Sequence, residues 1–147
     1  MDKYAAVLID IMAIQKYIYG TNKLKDQLGA SYIVKHIYKN TVENTLIEIY
    51  GKRCWELGAW REDPEDIKIG NGVIRVETAF EGGGKLMLLF TEEDKANKFI
   101  SIWSSKLLLE FPGIKTAVAV AKVSIEKNNF QTDIDEIFSQ LLINKQS

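Results

Sequence analysis

A chain of 147 residues is long enough for one domain with a real core, and 46% hydrophobic and 27% charged residues are ordinary for a globular protein. A net charge of −1 supplies no global basic field, so any nucleic-acid contact would have to be local. The lone Cys54 excludes an internal disulfide and a cysteine-rich zinc site, and no apolar run approaches the ~20 residues that span a membrane. A single soluble, cytoplasmic domain in a reducing compartment is expected, with no membrane partner. Asp10 interrupts the short N-terminal apolar run, which therefore does not read as a signal peptide.

Tyr4 to Ile11 is nearly continuous in apolar, strand-forming residues and predicts a buried strand that ends in Ile9-Asp10-Ile11. Met12 to Tyr19 predicts a short helix closed by Gly20, and a polar link follows over Thr21–Gly29. Ser31 is a good helix N-cap type, and Ile33, Val34, Ile37, Tyr38, Val42, Leu46, Ile49 and Tyr50 recur behind it at helical spacing until Gly51. Lys52 to Gly72, with Trp55, Trp60 and Pro64, has no clear periodicity and predicts a loop or insertion.

Val73 to Phe80 and Leu86 to Phe90 are strand-like and flank Glu81-Gly82-Gly83-Gly84-Lys85, a pattern that predicts a β-hairpin with a glycine turn. Thr91, with Asp94 three residues on, predicts the cap of a second amphipathic helix carrying Ala96, Phe99, Ile100, Trp103, Leu107 and Leu108, stopped by Pro112-Gly113. Ile114 to Ile125 predicts a fourth strand. Thr132-Asp133-Ile134-Asp135 opens a last helix with Ile134, Ile137, Phe138, Leu141 and Leu142 on one face.

This order, βαββαβ plus a C-terminal helix, predicts an α+β domain of ferredoxin-like or palm type. Right-handed crossovers set the first and third strands side by side in an antiparallel sheet, with both crossover helices on one face. The end of the first strand and the hairpin turn then share one edge of the sheet. Asp10 is expected beside Gly82–Lys85.

Several groups at that edge carry possible chemistry. A carboxylate at the end of an apolar strand is costly unless paired, hydrogen-bonded or metal-bound, so Asp10 is either a metal ligand or the cap of the following turn. Gly82, Gly83 and Gly84 offer backbone N–H groups to a phosphate, and Lys85 offers a point charge, although a hairpin can need glycine for its turn alone. Glu81 reads as a solvated turn carboxylate or a substitute metal ligand. Five lysines (Lys16, Lys23, Lys25, Lys35 and Lys39) against the single acid Asp26, with a helix N-terminus near Ser31, suit either a phosphate or a solvated helix face. Trp55 and Trp60 suit a base-stacking pair or a cover for the core edge. His36 has no second ligand at metal spacing and reads as a surface or half-buried histidine.

Asp10-Ile11-Met12-Ala13-Ile14-Gln15-Lys16-Tyr17-Ile18-Tyr19 resembles the Asp-Ile-x-x-Ile-Gln-x-Phe-Ile-Tyr signature of palm domains in the large subunit of type III CRISPR effector complexes. Leu28-Gly29-Ala30-Ser31-Tyr32 stands where that family has an Arg-Ser-Phe-like motif, with Ala30 in place of the usual arginine. Gly82-Gly83-Gly84-Lys85 resembles the hairpin of the first palm of that subunit, which lacks the acidic pair of the second, cyclic-oligoadenylate-making palm. Stand-alone minimal CRISPR polymerases of about this size are a related group.

The resemblance implies a palm of antiviral defence that binds ATP, or a related purine, without efficient turnover. Asp10 would hold Mg²⁺ or Mn²⁺ or a nucleotide hydroxyl. Ile11, Ser31, Gly82, Gly83, Gly84 and Lys85 would line the nucleotide. The partner would be a second palm, supplied by a homodimer or by another palm-domain chain. Two alternatives remain open at this point: an active nucleotidyltransferase or cyclase in which Glu77 or Glu81 replaces the missing aspartates, and a protein-interaction module that docks through the sheet edge or the last helix.

Overall fold

A computed structural model describes residues 3–11, 27–58, 68–82, 84–111, 114–124 and 127–145. The elements are β1 (Lys3–Ile11), α1 (Gln27–Tyr50), β2 (Trp55–Glu56), β3 (Val76–Gly82), β4 (Lys85–Phe90), α2 (Glu93–Glu110), β5 (Thr116–Ser124) and α3 (Lys127–Lys145). The short helix expected over Met12–Tyr19, Trp60 and Gly83 lie outside the described residues.

The chain is an α+β protein with one five-stranded sheet in the order β2-β3-β4-β1-β5. β1 lies between β4 and β5 and is antiparallel to both, and β3 is antiparallel to β4. The sheet is mixed because β2 adds a parallel pair, Trp55↔Val76 and Glu56↔Glu77, at the outer edge. That pair corrects the expectation of a wholly irregular stretch from Lys52 to Gly72. Trp55 is buried in the core, so it covers the core edge and offers no stacking platform.

The apolar runs of β1 and β4 are explained by burial on both faces of the sheet. Ala5, Val7, Ile9 and Ile11 of β1, with Leu86, Leu88 and Phe90 of β4, face Ile37, Tyr38, Val42 and Leu46 of α1 and Ala96, Phe99, Trp103 and Leu107 of α2. The alternate residues Tyr4, Ala6, Leu8, Met87 and Leu89 join Ala117, Ala119 and Val123 of β5 and Ile137 and Leu141 of α3. Thus α1 and α2 cover one face and α3 the other.

The α1 face carries threonines where its helical stripe needs small apolar groups, and each hydroxyl is satisfied. Thr41 Oγ1 donates to Ile37 O at 2.6 Å and Thr45 Oγ1 to Thr41 O at 2.7 Å. Thr41 Oγ1 also accepts from the buried Trp103 Nε1–H at 2.9 Å, tying α1 to α2. Trp103 in turn stacks against Tyr38 and Phe99.

Strand β3 runs Val76–Gly82 where Val73 to Phe80 was expected, and the starts of the three helices also differ from expectation. Helix α1 starts at Gln27, before Ser31, so Ser31 lies inside it and is not its cap. Thr91 does not cap α2: its N–H donates to Arg75 O at 3.0 Å, continuing the sheet's bonding, and Glu92 takes the N-cap position without a side-chain cap bond. Helix α3 begins at Lys127, ahead of Thr132, and Asp133 Oδ2 accepts from Ser124 N–H at 2.8 Å, so this carboxylate fastens α3 to the end of β5.

Candidate functional site

Sheet register builds the candidate site. In the β1–β4 pairing Asp10 stands directly opposite Lys85, and Ile11 N–H donates to Gly84 O at 3.1 Å. Opposed residues on antiparallel strands share a face, so carboxylate and ammonium meet: Lys85 Nζ lies 3.6 Å from Asp10 Oδ2. Asp10 is only 5% exposed, and its negative charge at the end of an apolar strand is offset at close range by Lys85.

Gly84 holds φ +82°, the left-handed conformation that favours glycine, and completes the turn into β4. A Cβ there would lie 3.6 Å from both Asp10 Oδ1 and Ile11 O, an ordinary contact distance. The glycine is therefore required by its backbone conformation more than by crowding. Its carbonyl accepts twice, from Ile11 N–H and from the Tyr38 hydroxyl at 2.5 Å. Burial first, and then the nearby negative charges of Asp10 and Glu81, push the Tyr38 phenol well above its ordinary pKa, so it is a neutral donor at every physiological pH.

A β-bulge sets the direction of the residues before the turn. Register passes from Thr78↔Leu88 to Phe80↔Met87, leaving Ala79 as the extra residue. The phase of β3 therefore inverts. Phe80 moves to the α3 face, where it meets Phe138 edge-on with ring centres 6.1 Å apart. Glu81, paired with Leu86, moves to the α1 face. There a cleft of about 270 Å³ lies between α1 and the hairpin, lined by Lys35, Tyr38, Lys39, Val42, Glu43, Leu57, Thr78, Glu81 and Leu86.

Of the residues singled out from sequence, Asp10, Ile11, Gly84 and Lys85 meet at one edge, with Gly82 paired to Lys85 in the hairpin. Gly83 lies outside the described residues, and Ser31 is placed only as part of α1. Sequence periodicity assigned Tyr38 to an apolar stripe and missed its role in holding the turn. The usable signal was that a buried tyrosine hydroxyl needs a partner.

Glu77 does not belong to this site. Its register runs through Leu89 to Ala6, four residues and roughly 13 Å along β1 from Asp10. Its buried carboxylate accepts from Lys68 N–H at 2.8 Å and Ile69 N–H at 2.6 Å, anchoring the segment that returns to the sheet. Glu81, on the α1 face, and Asp10, paired through Lys85, are likewise not brought together as a metal-binding pair. Among the described residues no group of three His, Cys, Asp or Glu side chains could hold a metal ion. Among the described residues Asp10 is a carboxylate faced by the Lys85 ammonium, an arrangement that does not fit a two-metal centre. His36 is exposed on α1 with Asn40 Nδ2 3.0 Å from its Nε2.

No family model and no curated protein matches the chain. None of the described helices is long and apolar enough to cross a membrane.

Proposed function

We propose that this chain is a palm-like domain of CRISPR-type antiviral defence that holds a purine nucleotide, ATP by the resemblance of its strand-end motif, without turning it over. The observation that carries this is the Asp10–Lys85 pair. A strand-end aspartate faces the hairpin as in a polymerase-like palm, but the position opposite it carries an ammonium at 3.6 Å. An ammonium this close to the strand-end carboxylate would repel divalent ions there, which favours nucleotide retention over two-metal chemistry. The strand order, with β1 central between β4 and β5 and α1 and α2 on one face, supports the ferredoxin-like, palm-type arrangement.

The test is calorimetric titration with ATP and GTP, with and without Mg²⁺ or Mn²⁺, followed by mass spectrometry of the cell contents. Binding with intact nucleotide recovered is the expected result. Recovery of a linear or cyclic oligonucleotide would establish an active cyclase and overturn the degenerate-palm assignment.

The interaction-module alternative draws on one observation. Leu142 and Ile143 of α3 are 59% and 60% exposed, although Ile137 and Leu141 of the same helix are in the core. A docking role predicts no nucleotide heat and partner loss on Leu142→Asp.

A further inference from the structure

The hairpin end of the sheet carries an aromatic ring that core packing does not explain. Side chains alternate along a strand, so Asp10, between the α1-facing Ile9 and Ile11, stands on the α3 side of the sheet. Lys85, next to the α1-facing Leu86, stands there too. The bulge at Ala79 sends Phe80 to that same side, opposite Met87. In an unbulged strand Phe80 would follow Thr78 to the α1 face, opposite Leu86 and within the α1–α2 core. Instead it is 40% exposed, the one aromatic among the exposed large hydrophobic side chains of the described residues.

The ring is also aimed and braced. A Cβ on Gly82 would meet Phe80 Cζ at 3.7 Å, so the ring extends along β3 towards the turn and its tip lies over Gly82. Gly82 pairs with Lys85, and Lys85 with Asp10. Ring tip, ammonium and carboxylate therefore stand side by side on three neighbouring strands, across roughly 10 Å. Phe138 meets the ring edge-on and holds its plane.

A surface ring beside a fixed ammonium complements a ligand with a flat π-face at one end and negative charge at the other. A nucleotide has that form. The Lys85 ammonium has three N–H donors, more than a single carboxylate oxygen at 3.6 Å can use, which leaves donors for phosphate oxygens. Stacking reads the face of a base and not its edge, so it favours the larger purine over a pyrimidine without separating adenine from guanine.

We infer that Phe80 is the stacking platform for the base of the bound nucleotide, with Lys85 beside it receiving the phosphates. This rests on the nucleotide-holding role proposed above and assigns the base subsite within it. The bulge at Ala79 is the device that brings ring and ammonium onto one face. The charged cleft beside α1 lies on the opposite side of the sheet and takes no part.

The experiment uses the full chain, Phe80→Leu, which keeps an apolar cover over Gly82 but removes the π-face, and Phe80→Trp, which keeps a π-face. Circular dichroism verifies that both variants fold. Calorimetry with ATP, CTP and inorganic tripolyphosphate is joined to proton NMR of the adenine H2 and H8 signals. Wild type should bind ATP about threefold or more tightly than CTP and shift both adenine signals upfield, as stacking on an aromatic ring requires. Phe80→Leu should weaken ATP roughly five- to a hundredfold and abolish the shift, while tripolyphosphate, which has no base, binds it and wild type alike. Phe80→Trp should retain both the affinity and the shift.

Unchanged ATP affinity in folded Phe80→Leu, an equal loss for tripolyphosphate, or ATP bound to wild type without the upfield shift overturns the platform and leaves the nucleotide-holding role standing. Failure of ATP to bind wild type overturns both.

Discussion

Asp10 and Lys85 are cross-strand partners whose charged groups approach to 3.6 Å, one almost fully buried and the other at the surface of the hairpin. Neither residue explains the other in sequence. Together they convert a strand-end carboxylate, costly in an apolar setting, into half of an ion pair.

Removing Lys85 alone should therefore be worse than removing both charges. Lys85→Met is expected to cost about 1 kcal/mol, at the low end for loss of a charged partner because the lysine is part-exposed. Asp10→Asn with Lys85→Met should recover most of that loss. Urea denaturation of the two single variants and the double variant gives the coupling directly; strict additivity would show that the pair is incidental.

Gly84 is expected to tolerate substitution poorly for a backbone reason. With φ at +82° and only ordinary contacts awaiting a Cβ, Gly84→Ala should cost about 1–2 kcal/mol, and Gly84→Asn less, because asparagine enters the left-handed region more readily. A shift in thermal midpoint of the same size for both variants would contradict this.

The Tyr38 hydroxyl fastens α1 to the turn, so Tyr38→Phe should lose about 1 kcal/mol at neutral pH. Its folded pKa is raised above the unfolded value of about 10, so the folded state keeps a proton that the unfolded state releases. Stability linked to this group is full below about pH 10 and falls as pH rises above it. The wild type should thus weaken more steeply than Tyr38→Phe in alkaline denaturation. The slope should shrink without vanishing, because burial raises the Tyr50 phenol as well.

Glu77 is a structural carboxylate. Glu77→Leu, which leaves the Lys68 and Ile69 N–H groups without their acceptor, should destabilise the fold by about 1–3 kcal/mol and leave nucleotide affinity unchanged at temperatures where the variant is folded. Loss of affinity in a folded Glu77→Leu protein would return this residue to the site.

How much of this was legible in the sequence follows physical lines. Periodicity and glycine punctuation placed β1, the hairpin, α2 and the meeting of Asp10 with Lys85, because apolar runs and crossover handedness constrain those features tightly. The two-residue β2 was invisible, since Trp55-Glu56 is too short to carry a period. The bulge at Ala79 was equally invisible: Val76, Thr78 and Phe80 alternate evenly, yet register with β4 sends Phe80 to α3 and Glu81 to α1. Cap signals at Ser31 and Thr91 misled because longer hydrogen-bonded elements overrode local preference. Tyr38 looked like core and is also a tether, a double role that only the position of Gly84 discloses.

The most direct test of the central claim, a nucleotide held without turnover, is phosphorus NMR of ATP and of GTP incubated with the protein and Mg²⁺. The triphosphate resonances should broaden while their summed intensities stay constant over hours. Growth of pyrophosphate or phosphodiester signals at the expense of the triphosphate, or resonances as sharp as those of free nucleotide, would contradict it.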